Sequence, residues 1–277
     1  MTGNHLFAED FAPERLRALG LRDREAYVAA APWPHIVVHD LFSRAGLEEL
    51  VRELDGVRPA AILHHVTSRT VKNESAEVRG LGPAMDAFQK AMDSPAMTSY
   101  LEAVTGIAGL VADPTRELAG LHETPVGGFT KIHTDFSHHP TTGLHHRINA
   151  LLYMNPEWHD DWGGQLELWP SDMRGNPTIV QPTLGTFVVF ATNDDSKHGL
   201  PRVVACPEGF SRRSLAFYYY SVERHGDKLS LRHSLYHARP TEAPSDLVPP
   251  LKERVLEHLP RRVVVSAYRL KAKIGRR

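Results

Sequence analysis

FTKIHTD (129–135), RINALLYM (147–154), QLELW (165–169), TIV (178–180), TFVVFA (186–191) and RRSLAFYYYSV (212–222) follow one another through the second half of the chain. Each is a short run rich in β-branched and aromatic residues, separated from the next by Gly, Pro, Asn and Asp. Strands of this length at this spacing predict an all-β barrel or sandwich. A parallel α/β sheet would instead interleave them with amphipathic helices.

The flanks differ from this core. Residues 1–117 read as an α-rich section that packs on the barrel. Its polar, mostly helical lead-in (PERLRALGLRDREAYVAAA) is broken by Pro32 and Pro34. His35–Val38 predicts a short strand. Ser43 predicts the cap of a helix through about Leu54, with Leu47, Leu50 and Val51 at helical spacing. Two further helices are expected over Pro83–Met92 and Pro95–Val104, the second opened by Ser94 as cap and Pro95 at the first helical position. Residues 118–222 form the β core, and 223–277 a C-terminal extension. The last 27 residues carry nine Lys/Arg against two Asp/Glu. A solvated terminal helix packed by one face is the expectation there; a membrane surface or an acidic partner is the alternative.

With 277 residues, 42% hydrophobic and 23% charged, the chain has an ordinary globular composition. Its formal net charge of -1 gives no reason to expect nucleic acid as a partner. The single cysteine, Cys206, excludes an intrachain disulfide and any Cys-based zinc or iron–sulfur site, which fits a reducing compartment. No apolar run has the length of a signal peptide or a membrane span, so a cytoplasmic location is expected. Histidine is the unusual count, at seventeen, with a cluster around 133–159.

Metal chemistry is the first use to consider for that cluster. A redox-active ferrous site needs three protein ligands on one face of an octahedron, and two histidines with one carboxylate supply them. Residues i and i+2 of a strand point the same way, so His-x-Asp aims an imidazole and a carboxylate at one point. The motif occurs three times, at 133–135, 159–161 and 225–227. His159–Asp161 lies in a Trp-flanked polar loop, and His225–Asp227 spans a glycine with little chain after it. His133 and Asp135 end a strand that follows the Gly127-Gly128 turn, and context selects them. His198, in a loop after the strand Thr186–Ala191, is the natural distal ligand. Zinc accepts the same donors, so a metal-dependent hydrolase or lyase is an alternative, as is a non-catalytic jelly-roll binding module.

Two strands suggest a polar pocket. In SRRSLAFYYYS (211–221), parity groups Arg212 with the small Ser214 and Ala216 on a cavity-lining face, and Arg213 with Leu215, Phe217 and Tyr219 on a face packed against the helices. Arginine is suited to binding a carboxylate through two parallel hydrogen bonds. In RINALLYM (147–154), parity puts Arg147, Asn149, Leu151 and Tyr153 on one face. The histidines of SHHPTTGLHH (137–146) are expected to be solvated in a loop that frames the entrance.

GGFTKIHTDF (127–136), RINALLYMNPEWHDDWGGQLELW (147–169), GTFVVFATNDDSKHGLP (185–201) and SRRSLAFYYYS (211–221), in this order, resemble the prolyl-hydroxylase-like branch of the Fe(II)/2-oxoglutarate dioxygenases. The resemblance covers roughly a third of the chain and implies a double-stranded β-helix (jelly-roll) core supported by N-terminal helices. It implies Fe(II) on His133, Asp135 and His198, and 2-oxoglutarate with its far carboxylate on Arg212, assisted by Tyr153. Asn149 and Arg147 match polar positions of varying role. Dioxygen as co-substrate and ascorbate as reductant are implied with them. The activity implied is hydroxylation of an unactivated C–H of a small-molecule or amino-acid-type substrate, with release of succinate and CO2.

Overall fold

Two arginines adjacent in sequence, one turned into the molecule and one out, give the layering of the chain. In the computed structural model, which describes residues 6–56, 62–76, 78, 80–115, 119–222, 233–251 and 253, they open the long strand that joins the two halves of the sheet. The basic end, residues 254–277, and the motif His225–Asp227 lie outside the described residues.

Four helices are described: α1 (Pro13–Ala29), α2 (Arg44–Gly56), α3 (Pro83–Met92) and α4 (Pro95–Thr105). Ser94 caps α4 as its sequence predicts, by accepting a hydrogen bond from the Met97 amide, and Gly106 ends the helix in the left-handed region. Thirteen strands follow the chain as β1 (His35–Val38), β2 (Leu63–Val66), β3 (Thr70–Ser75), β4 (Val111–Ala112), β5 (Gly120–Thr124), β6 (Phe129–Thr134), β7 (His145–Tyr153), β8 (Leu166–Trp169), β9 (Thr178–Val180), β10 (Phe187–Ala191), β11 (Lys197–Leu200), β12 (Arg212–Ser221) and β13 (Leu235–Tyr236).

The strands run β1-β10-β7-β12-β5-β3-β6-β11-β8-β9 in one antiparallel sheet, with β2 on β3, β4 on β12 and β13 on β6. The sheet folds over itself into a nearly closed jelly roll. Its larger layer buries Leu121, Ile148, Ala150, Leu152, Phe187, Val189, Leu215, Phe217 and Tyr219 against the helices. At the centre of that contact Phe88 of α3 is fully buried, with Phe7, Phe42 and Phe217 packed edge-on around it. Such aromatic pairs contribute ~1 kcal/mol each beyond their area burial. The opposite faces of the same strands join the smaller layer in a second core of Tyr153, Leu166, Leu168, Val188, Phe190 and Leu200. Alternation along each strand therefore divides one sheet between two cores.

The predicted strands and helices agree with these elements to within a residue or two. Six strands go beyond the reading: β2, β3, β4, β5, β11 and β13. Of these, β2, β3 and β5 are polar (LHHV, TVKNES, GLHET) and lack the apolar alternation that marks a half-buried strand, and β4 and β13 are two residues each. Among the described residues no helix is long and apolar enough to cross a membrane.

Candidate active site

His133 and His198 come together because β6 and β11 are hydrogen-bonded neighbours with these two residues in register. His198 is thus a strand residue, which corrects its reading as part of a loop. KHGL is too short and too polar to signal a strand alone, and its pairing with β6 and β8 creates one. Gly199 makes the approach possible. A Cβ there would lie 2.8 Å from the Lys131 carbonyl oxygen and 2.9 Å from that of Thr130.

The donor atoms of His133, Asp135 and His198 all lie within 4.8 Å of one another. His133 Nε2 is 3.4 Å from Asp135 Oδ1, and His198 Nε2 is 3.5 Å from Asp135 Oδ2. Each imidazole is held from behind: Nδ1 of His133 lies 2.9 Å from the Lys131 carbonyl, and Nδ1 of His198 2.9 Å from that of Ser196. A carbonyl only accepts, so both Nδ1 atoms donate and both rings turn Nε2 toward Asp135. Burial pushes the His198 imidazole down to about 4, against the opposing pull of Asp135, so it is neutral at pH 7. Burial would raise the Asp135 carboxyl, but His198 and then His133 hold it well below the usual carboxylate range. Two imidazoles and one carboxylate facing a single point are the donor set for a divalent cation.

The residues behind this cluster match parity with one exception. Asn149 is buried and donates from Nδ2 to Asp135 Oδ2, while its Oδ1 has no partner among the described residues. Tyr153 is fully buried on the same face, and its hydroxyl makes no well-formed hydrogen bond there. Arg212 is 3% exposed; its Nε donates to the Gly164 carbonyl at 2.7 Å and its guanidinium carbon sits 4.8 Å from the centre of the Tyr153 ring. Arg213 points outward and pairs with Asp55 of α2 at 2.6 Å.

Arg147 departs from the predicted face. Ile148 stands opposite Tyr219 while His146 stands opposite Tyr220, so Arg147 is the extra residue of a β-bulge. Its Nη1 reaches Ser221 Oγ at 3.4 Å, six residues along β7 from Tyr153 and so about 20 Å away from the Arg212 end. The bulge turns His146 inward in its place. His146 is fully buried, stacked on Phe136 at 4.6 Å and set beside Tyr218 at 4.9 Å. The expectation of solvated histidines over 137–146 is corrected as well. The segment folds back on itself through the His139–Leu144 and Ser137–His146 backbone bonds. His139 and His146 are buried, while His138 and His145 stack at 5.0 Å.

The 2OG-Fe(II) oxygenase superfamily profile matches residues 119–220. Those residues are a 2OG-Fe(II) oxygenase domain. The chain is accordingly a dioxygenase, an enzyme that uses Fe(II), 2-oxoglutarate and dioxygen. No curated protein matches it. Among solved structures, the oxygenase is similar to a Pseudomonas putida prolyl-4-hydroxylase, with a TM-score of 0.53 and 19% identity over 75% of this chain and 100% of that one. It is also similar to a Trichoplax adhaerens prolyl hydroxylase in complex with a hypoxia inducible factor oxygen degradation domain peptide fragment, with a TM-score of 0.50 and 16% identity over 76% of this chain and 90% of that one. The oxygenase thus has the double-stranded β-helix fold of these two structures, the fold that the sequence resemblance implies.

The residues that the sequence reading misses lie on this same inner face. His146 is hidden by the bulge. Lys72, Glu74 and His122 sit on the polar strands β3 and β5, and Tyr236 arrives from β13 beyond the core. A signal for the β2–β3 hairpin is present: LHHV and TVKNES flank Thr67, whose Oγ1 accepts hydrogen bonds from the Arg69 and Thr70 amides.

Proposed function

We propose that His133, Asp135 and His198 hold Fe(II), that Arg212 with Tyr153 receives the far carboxylate of 2-oxoglutarate, and that the enzyme hydroxylates an unactivated C–H of a small-molecule or amino-acid-type substrate. The observation that carries this reading is the orientation of the two imidazoles. Both Nδ1 atoms are tied to backbone, so both Nε2 atoms and the Asp135 carboxylate converge on one point. The Asn149 amide fixes the carboxylate from behind. Arg212 brings a planar cation to the depth of the pocket, where a bidentate carboxylate would satisfy it and the Tyr153 hydroxyl together. Val188, Leu166, Leu168 and Phe190 keep that depth apolar, and the Phe190 ring lies 4.7 Å from the His198 ring. The loaded centre supplies the oxidation: substrate, 2-oxoglutarate and O2 give hydroxylated substrate, succinate and CO2, with one oxygen atom in each of the first two products.

Anaerobic addition of Fe(II) and then 2-oxoglutarate is expected to produce the visible charge-transfer band of the chelate. Asp135→Ala is expected to abolish that band and reduce succinate formation about a thousandfold, or ~4 kcal/mol of barrier. An Asp135→Ala protein that retains both would sink the assignment.

A further inference from the structure

The inner face carries charge that neither the triad nor the Arg212 pocket uses. Glu74 of β3 stands opposite His122 of β5, and His122 opposite Ser214 of β12, so β3 delivers side chains to the face that holds Arg212. Lys72 Nζ lies 2.5 Å from Glu74 Oε1, His65 Nε2 lies 2.7 Å from Glu74 Oε2, and His122 Nε2 lies 3.6 Å from Oε1. Side-chain exposure falls from 30% at His65 to 22% at Lys72 and Glu74 and 14% at His122, so the row runs inward from the mouth. Tyr236 bounds it toward the triad, directly opposite His133 in register and with its ring 5.7 Å from that imidazole.

The cluster holds two fixed charges of opposite sign. Burial would raise the Glu74 carboxyl, but Lys72 and then His65 and His122 hold it well below its ordinary range. Burial opposes the Lys72 charge, yet Glu74 keeps the ammonium above its ordinary value. His122, pushed down to about 4 by burial and then by Lys72, is neutral. The fold gains little from such a pair, since a partly desolvated ion pair is at best comparable with well-packed apolar residues. The outer faces of the same strands are tied together independently, through Asn73 to Glu123 and Glu123 to Ser211.

We propose that Lys72 and Glu74 recognise the zwitterionic head of a free amino acid, its carboxylate on Lys72 and its ammonium on Glu74, with the amino acid's side chain directed past Tyr236 to the triad. This inference rests on the oxygenase reading for the position of the reacting carbon and adds the substrate class. A ligand with one charge of each sign leaves all four charges paired. A lone carboxylate or a lone amine would strip one member of the pair of its partner in a site with little water, and a peptide unit offers neither charge.

The test sets common L-amino acids against their N-acetyl and methyl-ester forms. Binding is measured by ligand-observed NMR on the metal-free protein, and succinate release on the protein loaded with Fe(II) and 2-oxoglutarate. At least one free amino acid is expected to bind and trigger succinate release, and either cap to weaken it about tenfold or more. Glu74→Gln is expected to raise the KM of that amino acid by a similar factor with kcat little changed, and to erase discrimination against the N-acetyl form. Lys72→Met is expected to do the same for the methyl ester. The ferrous 2-oxoglutarate band in both variants reports that the centre has assembled. Should either fail to fold, Lys72→Glu combined with Glu74→Lys keeps an ion pair and reverses its order, and loss of free amino acid binding is expected. Equal binding of free and capped forms, no binding of any free amino acid, or undiminished binding by the reversed pair overturns the proposal. A wild-type protein without the charge-transfer band would overturn the oxygenase reading instead, and the NMR comparison would still decide the amino acid site.

Discussion

Arg212 and Arg213 share a peptide bond and occupy two different solvents. Arg213 reaches the surface, where its partner Asp55 is 60% exposed, and β12 continues on that face as Leu215, Phe217 and Tyr219 against the helices. Arg212 is buried on the other face, which continues as Ser214, Ala216 and Tyr218 beneath the triad. The helix-backed face is built from large apolar side chains that fill space. The inner face is built from small and polar ones that leave space and keep unmet hydrogen-bonding capacity at Asn149, Tyr153 and His146. One sheet thus separates stability from chemistry by parity alone, and substitutions on the two sides are expected to fail in different ways.

The sharpest test on the helix side is Phe88→Ala. Removing this fully buried ring is expected to cost about 4 kcal/mol and to lower Tm by about 10 °C, with the KM for 2-oxoglutarate unchanged below the transition. Calorimetry beside steady-state kinetics checks it, and a changed KM would mean that the two faces are coupled. On the inner side, Arg212→Met is expected to raise the KM for 2-oxoglutarate about a hundredfold, near 3 kcal/mol, because the carboxylate is left without its buried cation. Arg212→Lys is expected to recover part of this, since the charge returns without the fork.

Acid tests the inner face from another direction. His122 is pushed down from 6.5 to about 4 by burial and Lys72, so between those values the unfolded chain binds a proton that the folded chain refuses. Stability therefore falls as pH drops below about 6.5, by about 2 kcal/mol at pH 5. Urea titrations of wild type and His122→Gln at pH 7 and pH 5 are expected to show a smaller pH-dependent loss in the variant. The smallest effect belongs to the outer arginine. Arg213→Met removes an exposed ion pair worth at most ~1 kcal/mol and is expected to leave 2-oxoglutarate binding intact. Loss of that binding would undo the parity assignment from which the comparison starts.

The sequence makes the jelly roll legible through its apolar strands, because β6, β7, β8, β10 and β12 each bury at least one face and must alternate or run apolar to do so. The triad is legible for a related reason: His133 and Asp135 are held two apart by strand geometry, and His198 follows a strong strand. Hidden strands β3 and β5 line the cavity. Their wall of Lys72, Glu74 and His122 turns charged and polar side chains inward, so it lacks the hydrophobic period on which strand recognition depends. KHGL is hidden because its structure is imposed by two neighbours and not by its own residues. Parity assigns Arg147 to the inner face because it assumes an unbroken strand.

That broken strand has a consequence for chain length. Ile148 and His146 already pair with consecutive residues of β12, so Arg147 fills no slot in the ladder. Shortening β7 at 147 keeps His146 and Asn149 on the inner face, whereas deleting a residue between 149 and 153 would reverse the aim of everything on one side of the cut. When this chain is aligned with others, position 147 is where a one-residue gap leaves the pairing of β7 with β12 intact.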